Sequence, residues 1–355
     1  VTVPRVSIVV PTHERRDSVL RLLAALGGQT AASDVFEVVI VIDGSTDGTQ
    51  EAVNTQAAAF RLRSVSQPQR GRAAACNAGA RVATGDVLVF LDDDMEPLAG
   101  FVAAHLDAHA SGAAIGIVGA APIVVAADAP PLVTYRAAGF TKKLARLAQR
   151  RDDLAFTDVY TGNFSIRRDL FTAVGGYDEE FRLYGHEDYE LVLRLGQLGV
   201  RFQFDAAAVA RQHYTKDFRG LAANVSAEGH TAVLFALKHP DVVAVLPLNK
   251  YAKRSRRRRT MLAAFLTLGR AYRGFPSRAI ALIERLERRS APSAYPALFA
   301  RYGLVFDVLY WLGVEQALHD RGMPRRRVPF HQVERWITAA RQREAARTGA
   351  PRTSA

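Results

Sequence analysis

The sequence predicts an α/β fold: a mostly parallel, Rossmann-like sheet flanked by helices, then a helical, basic carboxyl-terminal extension. Three observations carry that expectation. From Val6 to Leu91, β-branched apolar runs alternate with segments of helical period, and such alternation implies right-handed crossovers between parallel strands. The run Leu88-Val89-Phe90-Leu91 stops in Asp92-Asp93-Asp94, as a buried strand does when it delivers charge to its carboxyl end, the edge where open α/β sheets bind ligands. The charge is also divided. From Lys250 onward there are 23 Lys+Arg against 7 Asp+Glu, a net of +16, whereas residues 1–249 hold 24 against 28, a net of −4.

Each element follows from its residues. Val6 to Val10 is a β-branched run ended by Pro11-Thr12. From Asp17, the spacing of Val19, Leu20, Leu22, Leu23 and Leu26 is helical, and Gly27-Gly28 stops it. Phe36 to Ile42 is a second strand, closed by Asp43-Gly44-Ser45-Thr46-Asp47-Gly48; a helix is expected from Thr49 to about Phe60. Leu62 to Val65 is a short strand, Arg72 to Val82 a helix and Val87 to Leu91 the strand before the acids. Beyond them, Phe101 to Ala110 reads as helix and Ala114 to Val125 as a strand pair or one bent strand. Asp128 to Tyr135 reads as a Pro-rich loop, and Thr141 to Asp153 as a charged helix or loop. Phe164 to Ile166 is a strand, Arg168 to Val174 and Glu187 to Leu198 are helices, and Val200 to Phe204 and Ala208 to Val209 are short strands. From about Lys216 the pattern is mainly helical.

Composition narrows the function classes. With Cys76 as the one cysteine there is no disulfide framework, which points to a reducing compartment. Val1 to Arg5 leads straight into a strand, so no signal peptide is expected. The uncharged stretch from Gly112 to Ala127 is broken by Gly116, Gly119 and Pro122 and does not read as a membrane span.

Four groups of residues carry chemistry. Three adjacent carboxylates repel one another unless a cation sits among them, and a hard divalent ion holding phosphate oxygens would serve. Asp43, at a strand end, suits a ribose or a base N–H, although its loop also reads as an ordinary capping turn. Arg72 and Asn77 lie on a small-residue helix, where a guanidinium could meet phosphate and an amide a sugar or base. Gly162-Asn163, Gly175-Gly176-Tyr177-Asp178-Glu179 and Gly185-His186-Glu187-Asp188 combine close-folding loops with acids. Glu187 and Asp188 open a helix, placing a candidate general base at its amino end.

In this order and spacing, the four groups resemble the family 2 inverting glycosyltransferases of the GT-A fold, over about Arg5 to Lys216. The resemblance runs from Val9-Val10-Pro11-Thr12-His13-Glu14 through the Asp43 loop, Gly71 to Gly79, the acid tract and Gly-Gly-Tyr-Asp-Glu to His-Glu-Asp. It implies that Pro11, Thr12 and Glu14 line a nucleotide pocket and that Asp43 holds base or ribose. Asp92 to Asp94 match the family's DXD motif. Asp94 would ligate a divalent metal, Mg²⁺ or Mn²⁺, with Asp92 or Asp93 facing the donor. Asp188, beside Glu187, would be the catalytic base, Gly162 and Asn163 would lie where donor and acceptor meet, and His213 would be a further metal ligand. Ile42 stands where many relatives carry an acid, Cys76 where arginine is frequent, and His186 where an aromatic or small residue is usual.

The expected organisation is a GT-A domain at 1–220, a helical basic extension at 221–345 and a disordered tail at 346–355. The expected activity is sugar transfer from a nucleotide-diphosphate sugar to a hydroxyl acceptor, a lipid-linked or membrane-proximal glycan. Basic residues from Lys253 to Arg259 precede an apolar run and suit an anionic membrane surface, giving a cytoplasmic enzyme peripheral to the inner face of the membrane. No reading motif for nucleic acid accompanies the charge. The rival class is a non-catalytic nucleotide- or membrane-binding module on the same scaffold.

Overall fold

The computed structural model describes residues 5–250, 255–272 and 274–322, with 336, 338, 339 and 342 beyond them. The expected tail at 346–355 and residues 253–254 of the basic run lie outside the described residues. The chain divides into two compact units. One comprises the described residues up to Arg182 together with Glu187–Thr215; the other comprises Leu183–His186 and the described residues from Lys216.

The first unit alternates as its sequence predicts: β1 (Val6–Thr12), α1 (Arg16–Gly27), β2 (Phe36–Asp43), α2 (Thr49–Thr55), β3 (Arg61–Gln67), α3 (Arg72–Val82) and β4 (Val87–Leu91). There follow β5 (Met95–Pro97), α4 (Phe101–Ala108), β6 (Ile115–Ala120), α5 (Pro131–Gln149), β7 (Asn163–Arg167), α6 (Arg168–Ala173), α7 (Glu187–Gln197) and β8 (Arg201–Gln212). The eight strands form one sheet in the order β3-β2-β1-β4-β7-β6-β8-β5. β1 pairs parallel with β2 and β4, β2 with β3, and β6 with β8. β2 and β4 are buried throughout, as strands covered on both faces by helices must be. The edge strand β3 carries Arg61, Arg63, Ser64 and Ser66 instead, which protects an open edge.

β7 runs antiparallel to β4, with Asn163 opposite Leu91. Its entry, Thr161-Gly162, therefore arrives at the edge where β4 releases Asp92 to Asp94. α3 lies close on the sheet because it is built from small residues: a Cβ on Gly79 would collide with the side chains of Val9 and Val41.

Several boundaries differ from the sequence reading. The expected loop at 128–135 ends at Pro131, which opens α5 because proline's fixed φ suits the first helical turn. The segment 114–125 holds one strand and an isolated bridge, Ile123 to Gln212. The two strands expected at 200–209 are one, β8, with a register shift opposite Gly119 and Ala120. β5 was not expected at all; its three residues are defined by pairing with β8.

The second unit comprises α8 (Phe218–Lys238), α9 (Pro247–Lys250), α10 (Arg256–Ala271), α11 (Phe275–Glu287) and α12 (Tyr295–Asp320), with short 3₁₀ turns. Phe218 packs on Tyr302 and Phe306, and Trp311 is fully buried. α8 and α12 meet backbone to backbone, since a Cβ on Gly229 or Gly313 would strike the carbonyl of Tyr310 or Ser226. By length and composition alone the stretch Pro292–Asp320 could cross a membrane, and 44% of its 18-residue apolar segment is buried within the protein. Part of the basic charge is met internally, by Arg258–Asp307, Arg219–Glu284 and Arg270–Glu315.

Overpacking the α3 contact tests this arrangement. Gly79→Ala is expected to cost about 1–3 kcal/mol, seen as a lower Tm by circular dichroism at about 2–4 °C per kcal/mol. An unchanged Tm would mean that Val9 and Val41 have room to spare.

Candidate active site at the carboxyl edge of the sheet

The carboxyl ends of β1, β2 and β4 and the entry to β7 bring Pro11-Thr12, Asp43, Asp92 to Asp94 and Thr161-Gly162 to one edge, with the start of α7 joining them through Asp188. Arg72 ties the group together. Its Nε and Nη2 donate to Asp92 Oδ1 at 3.2 and 3.1 Å, and its Nη1 donates to Asp188 Oδ1 at 3.1 Å. Nη1 and Nη2 also donate to Thr161 Oγ1 and to the Thr161 carbonyl, both at 3.0 Å. The guanidinium lies 5.7 Å from the Tyr177 ring centre. Burial is the largest influence and opposes its charge, but Asp92, Asp188 and the other neighbouring groups together outweigh it and hold Arg72 well above its ordinary pKa. The phosphate role read from the sequence for Arg72 meets a different geometry, with the side chain bridging two carboxylates.

Asp188 accepts from Thr161 Oγ1 and Arg72 on Oδ1, and from the Thr161 amide on Oδ2 at 3.1 Å. Glu187 is buried beside it. Gly162 is packed so closely that a Cβ would strike the Asp92 carboxylate.

A second guanidinium serves the other two acids. Arg15 Nη1 donates to Asp93 Oδ1 at 2.9 Å and stands 3.5 Å from Asp94 Oδ2. Thr12 Oγ1 donates to Asp93 Oδ2 at 2.8 Å. Burial pushes the Asp93 pKa up to about 6, Arg15 pulls it back, and the charge of Asp94 adds to the rise. Both oxygens of Asp93 are thus taken up within the protein, and the residue is 7% exposed. Among Asp92 to Asp94, Asp92 has the most exposed side chain, at 36%. Asp94 receives Gln212 Nε2 at 3.3 and 3.4 Å.

The residues read from the sequence as nucleotide-binding stitch loops. Asp43 accepts from Gln67 Nε2 and the amides of Arg70 and Gly71 at 2.7–2.8 Å. His13 Nδ1 faces the Asp43 carbonyl at 2.8 Å. A carbonyl can only accept, so Nδ1 carries the proton. Glu14, with φ at 52°, accepts from the amide and hydroxyl of Thr46. Pro11 is half-buried at the end of β1.

Three side chains expected to meet a ligand or metal have partners within the protein. Asn77 clamps the Gly175-Gly176-Tyr177 turn, bonding both the amide and the carbonyl of Tyr177 at 2.8 Å. Asn163 is fully buried: its oxygen faces His105 Nε2 at 3.0 Å and its amide donates to the carbonyls of Ala120 and Ala208. It opens β7, a strand buried from Asn163 through Ile166. His213 Nε2 is engaged by Glu96, and its backbone amide donates to the Asp94 carbonyl at 2.8 Å. Among the described residues no group of three or more His, Cys, Asp or Glu forms a metal cage. Cys76 is buried in the core, its thiol pushed up to about 12 chiefly by burial, so it packs as a small apolar side chain.

Arg15, Thr161 and Gln212 are the site residues that the sequence reading missed. Arg15 follows β1 directly, but nothing local separates it from Arg16; Thr161 and Gln212 are brought in by strand pairing.

The description "Glycosyl transferase family 2" matches residues 7–175, and "Glycosyltransferase like family 2" matches residues 133–259. Validoxylamine A glucosyltransferase of Streptomyces hygroscopicus subsp. jinggangensis is 32% identical over 273 residues, covering 69% of this chain and 63% of that protein. Pre-mycofactocin glycosyltransferase of Mycobacterium tuberculosis is 26% identical over 246 residues, covering 69% of this chain and 50% of that protein. The chain thus spans between half and two thirds of the length of these relatives. Among solved structures, a mannosyltransferase from Pyrobaculum calidifontis in complex with GDP-Man and Mn²⁺ superposes with a TM-score of 0.52 at 19% identity. That superposition covers 98% of this chain and 83% of the other, and the likeness is one of fold.

The Arg15–Asp93 pair makes a pH-dependent prediction. Arg15→Met leaves two adjacent buried carboxylates without their cation and should cost about 3 kcal/mol near pH 8, the lower end for a broken buried pair. Removing Arg15 raises the folded Asp93 pKa further, so the deficit is full where Asp93 is ionised in both proteins. It shrinks as pH falls from the variant's raised pKa toward about 6, the value with Arg15 in place, because the variant takes up the Asp93 proton first. Thermal melts of both proteins in EDTA between pH 5 and 8 would show the gap closing toward pH 5; a gap independent of pH would contradict the assignment.

Proposed function

The chain belongs to glycosyl transferase family 2, with a GT-A fold, and on that premise we propose that it transfers a hexosyl group from a nucleotide-diphosphate sugar to an acceptor hydroxyl, with inversion. The observation that carries the reading is the shared guanidinium: Arg72 bonds both Asp92, on the donor side, and Asp188, the proposed base. Donor and acceptor would therefore meet in one hollow.

Asp188 is suited to accept the hydroxyl proton. A carboxylate offers about four lone-pair sites, and the contacts from Thr161 and Arg72 occupy two on Oδ1 and one on Oδ2. The remaining site on Oδ2 would take the acceptor hydroxyl, with its oxygen directed at the anomeric carbon from the face opposite the leaving group. Thr161 and Arg72 hold the carboxylate in one orientation while it takes the proton. Pro11, Thr12 and Glu14 would border the nucleotide, while Asp43 would shape its pocket by fixing residues 67–71. Glu187 would support α7 beside the base.

The donor set fits a divalent ion. Mg²⁺ and Mn²⁺ at nucleotide sites take one or two carboxylates and complete their shells with phosphate oxygens and water, so Asp94 with Asp92 suffices without a three-residue cage. Four carboxylates, Asp92, Asp93, Asp94 and Asp188, face two guanidiniums, Arg15 and Arg72, which leaves a charge deficit that a divalent ion would fill. When bound, the ion would neutralise the departing diphosphate. The acceptor is proposed as a lipid-linked or membrane-proximal glycan in the cytoplasm. Exposed Arg256 and Arg257 near exposed Met261 and Leu268 on α10 support a peripheral contact with anionic lipid.

Melting curves with UDP, GDP, dTDP and CDP, with and without Mn²⁺, identify the donor base, since a ligand of the folded state at 100 times its Kd adds about 2.7 kcal/mol. Asp188→Asn should keep that stabilisation and lose about 10²–10⁴-fold in turnover with the matching donor. Full turnover in Asp188→Asn would remove Asp188 from the role of base.

A further inference from the structure

α5 carries cations whose environments differ. Arg146 and Arg150, at and just beyond its end, share the buried carboxylate of Asp158, each at 3.1 Å. Lys142 is exposed. Arg136 and Lys143 are different: both are half-buried, and neither makes an ion pair among the described residues. They are seven residues apart, two turns, and so share one face of the helix about 10 Å apart along its axis.

Each cation lies on an aromatic ring at the edge of the candidate site. Lys143 Nζ is 4.8 Å from the Tyr160 ring centre and 6.0 Å from that of Phe140. Tyr160 is held by its hydroxyl on the Gly119 carbonyl and directly precedes Thr161, the residue that fixes Asp188. The Arg136 guanidinium is 5.5 Å from the Tyr214 ring centre. Tyr214 follows His213, whose amide bonds the Asp94 carbonyl. The Arg136 Nε is buried and makes no hydrogen bond. Burial lowers the Lys143 pKa to about 8, and the opposing pull comes first from Asp188; no carboxylate of the acid tract is among its main influences. A ring face compensates a desolvated ammonium only in part, and an unpaired buried donor is costly.

We propose that Lys143 and Arg136 form a subsite for an oxyanion on the acceptor, a phosphate or carboxylate, held next to the hydroxyl that Asp188 would deprotonate. The inference rests on the reading of Asp188 as the acceptor-side base and deepens it: the acceptor is anionic near its reacting hydroxyl. The half-buried ammonium supplies a strong charge-assisted contact. The Arg136 guanidinium adds donors beside the Tyr214 ring, and Tyr160 gives the apolar floor against which a sugar or lipid stem can lie.

The test uses the full chain saturated with the nucleoside diphosphate that stabilises it and Mn²⁺. Binding of glucose, glucose 6-phosphate and glucuronate is read by saturation-transfer NMR and calorimetry. Wild type is expected to bind the two anionic probes at least about tenfold more tightly than glucose. Lys143→Met and Arg136→Met should each lose most of that preference, while Lys143→Arg keeps it. Nucleoside diphosphate affinity should stay within about twofold in all three variants, which also reports that they are folded. No preference for the anionic probes in wild type would overturn the proposal. So would a loss of nucleoside diphosphate affinity in Lys143→Met equal to the loss of probe affinity, because the cations would then serve the donor's diphosphate. Failure of every nucleoside diphosphate to bind wild type would instead strike the proposed function itself.

Discussion

One half-buried guanidinium organises the carboxyl edge of this sheet. Asp92 leaves β4 and Asp188 opens α7, and neither segment has a local reason to approach the other. Arg72 draws them together by placing five hydrogen bonds on Asp92, Asp188 and Thr161. The charge is expensive to bury, and only because its neighbours are carboxylates and a carbonyl does the arrangement hold. The same bonds orient Asp188 from two sides, which a proton acceptor requires and a solvated side chain would lack. Thr161 takes part because β7 runs against β4 and must enter the sheet at that edge.

Arg15 solves the same problem for the remaining acids. Asp92 to Asp94 follow β4 in a turn, where three successive carboxylates repel one another. Asp93 is turned inward and stays compatible with the fold through Thr12 and Arg15. Asp94 is as buried as Asp93 and stands by the same guanidinium, whereas the Asp92 side chain keeps 36% of its exposure. The acid tract is therefore partly a structural device, and its middle member carries the structural share.

Much of this was legible in the residues. The apolar runs β1, β2 and β4 fall where their patterns predict, because strands buried on both faces need no alternation and leave little ambiguity. Asp43 was readable as the acid of a strand-end loop, and Cys76 as a core residue. The roles of Asn77, Asn163 and His213 were not. An asparagine near a glycine reads the same whether it faces a sugar or a backbone amide, and here both asparagines spend their donors and acceptors inside the protein. His213 was set by the β5–β8 pairing, which brings Glu96 opposite Arg211 and within reach of its ring.

By itself the sequence determined the order of the elements, the class of the sheet, the edge at which charge collects and the separation of a basic helical region from an acidic one. These follow from periodicity and composition, which act over neighbouring residues. Only the tertiary structure decided which acids share a cation, which are buried behind Arg15, and which polar side chains are consumed by the backbone. Those outcomes depend on pairings across tens of residues, such as Arg72 with Asp188 and Thr12 with Asp93. The direction of a side chain at such a pairing is fixed by strand register and burial, and no local spacing encodes it.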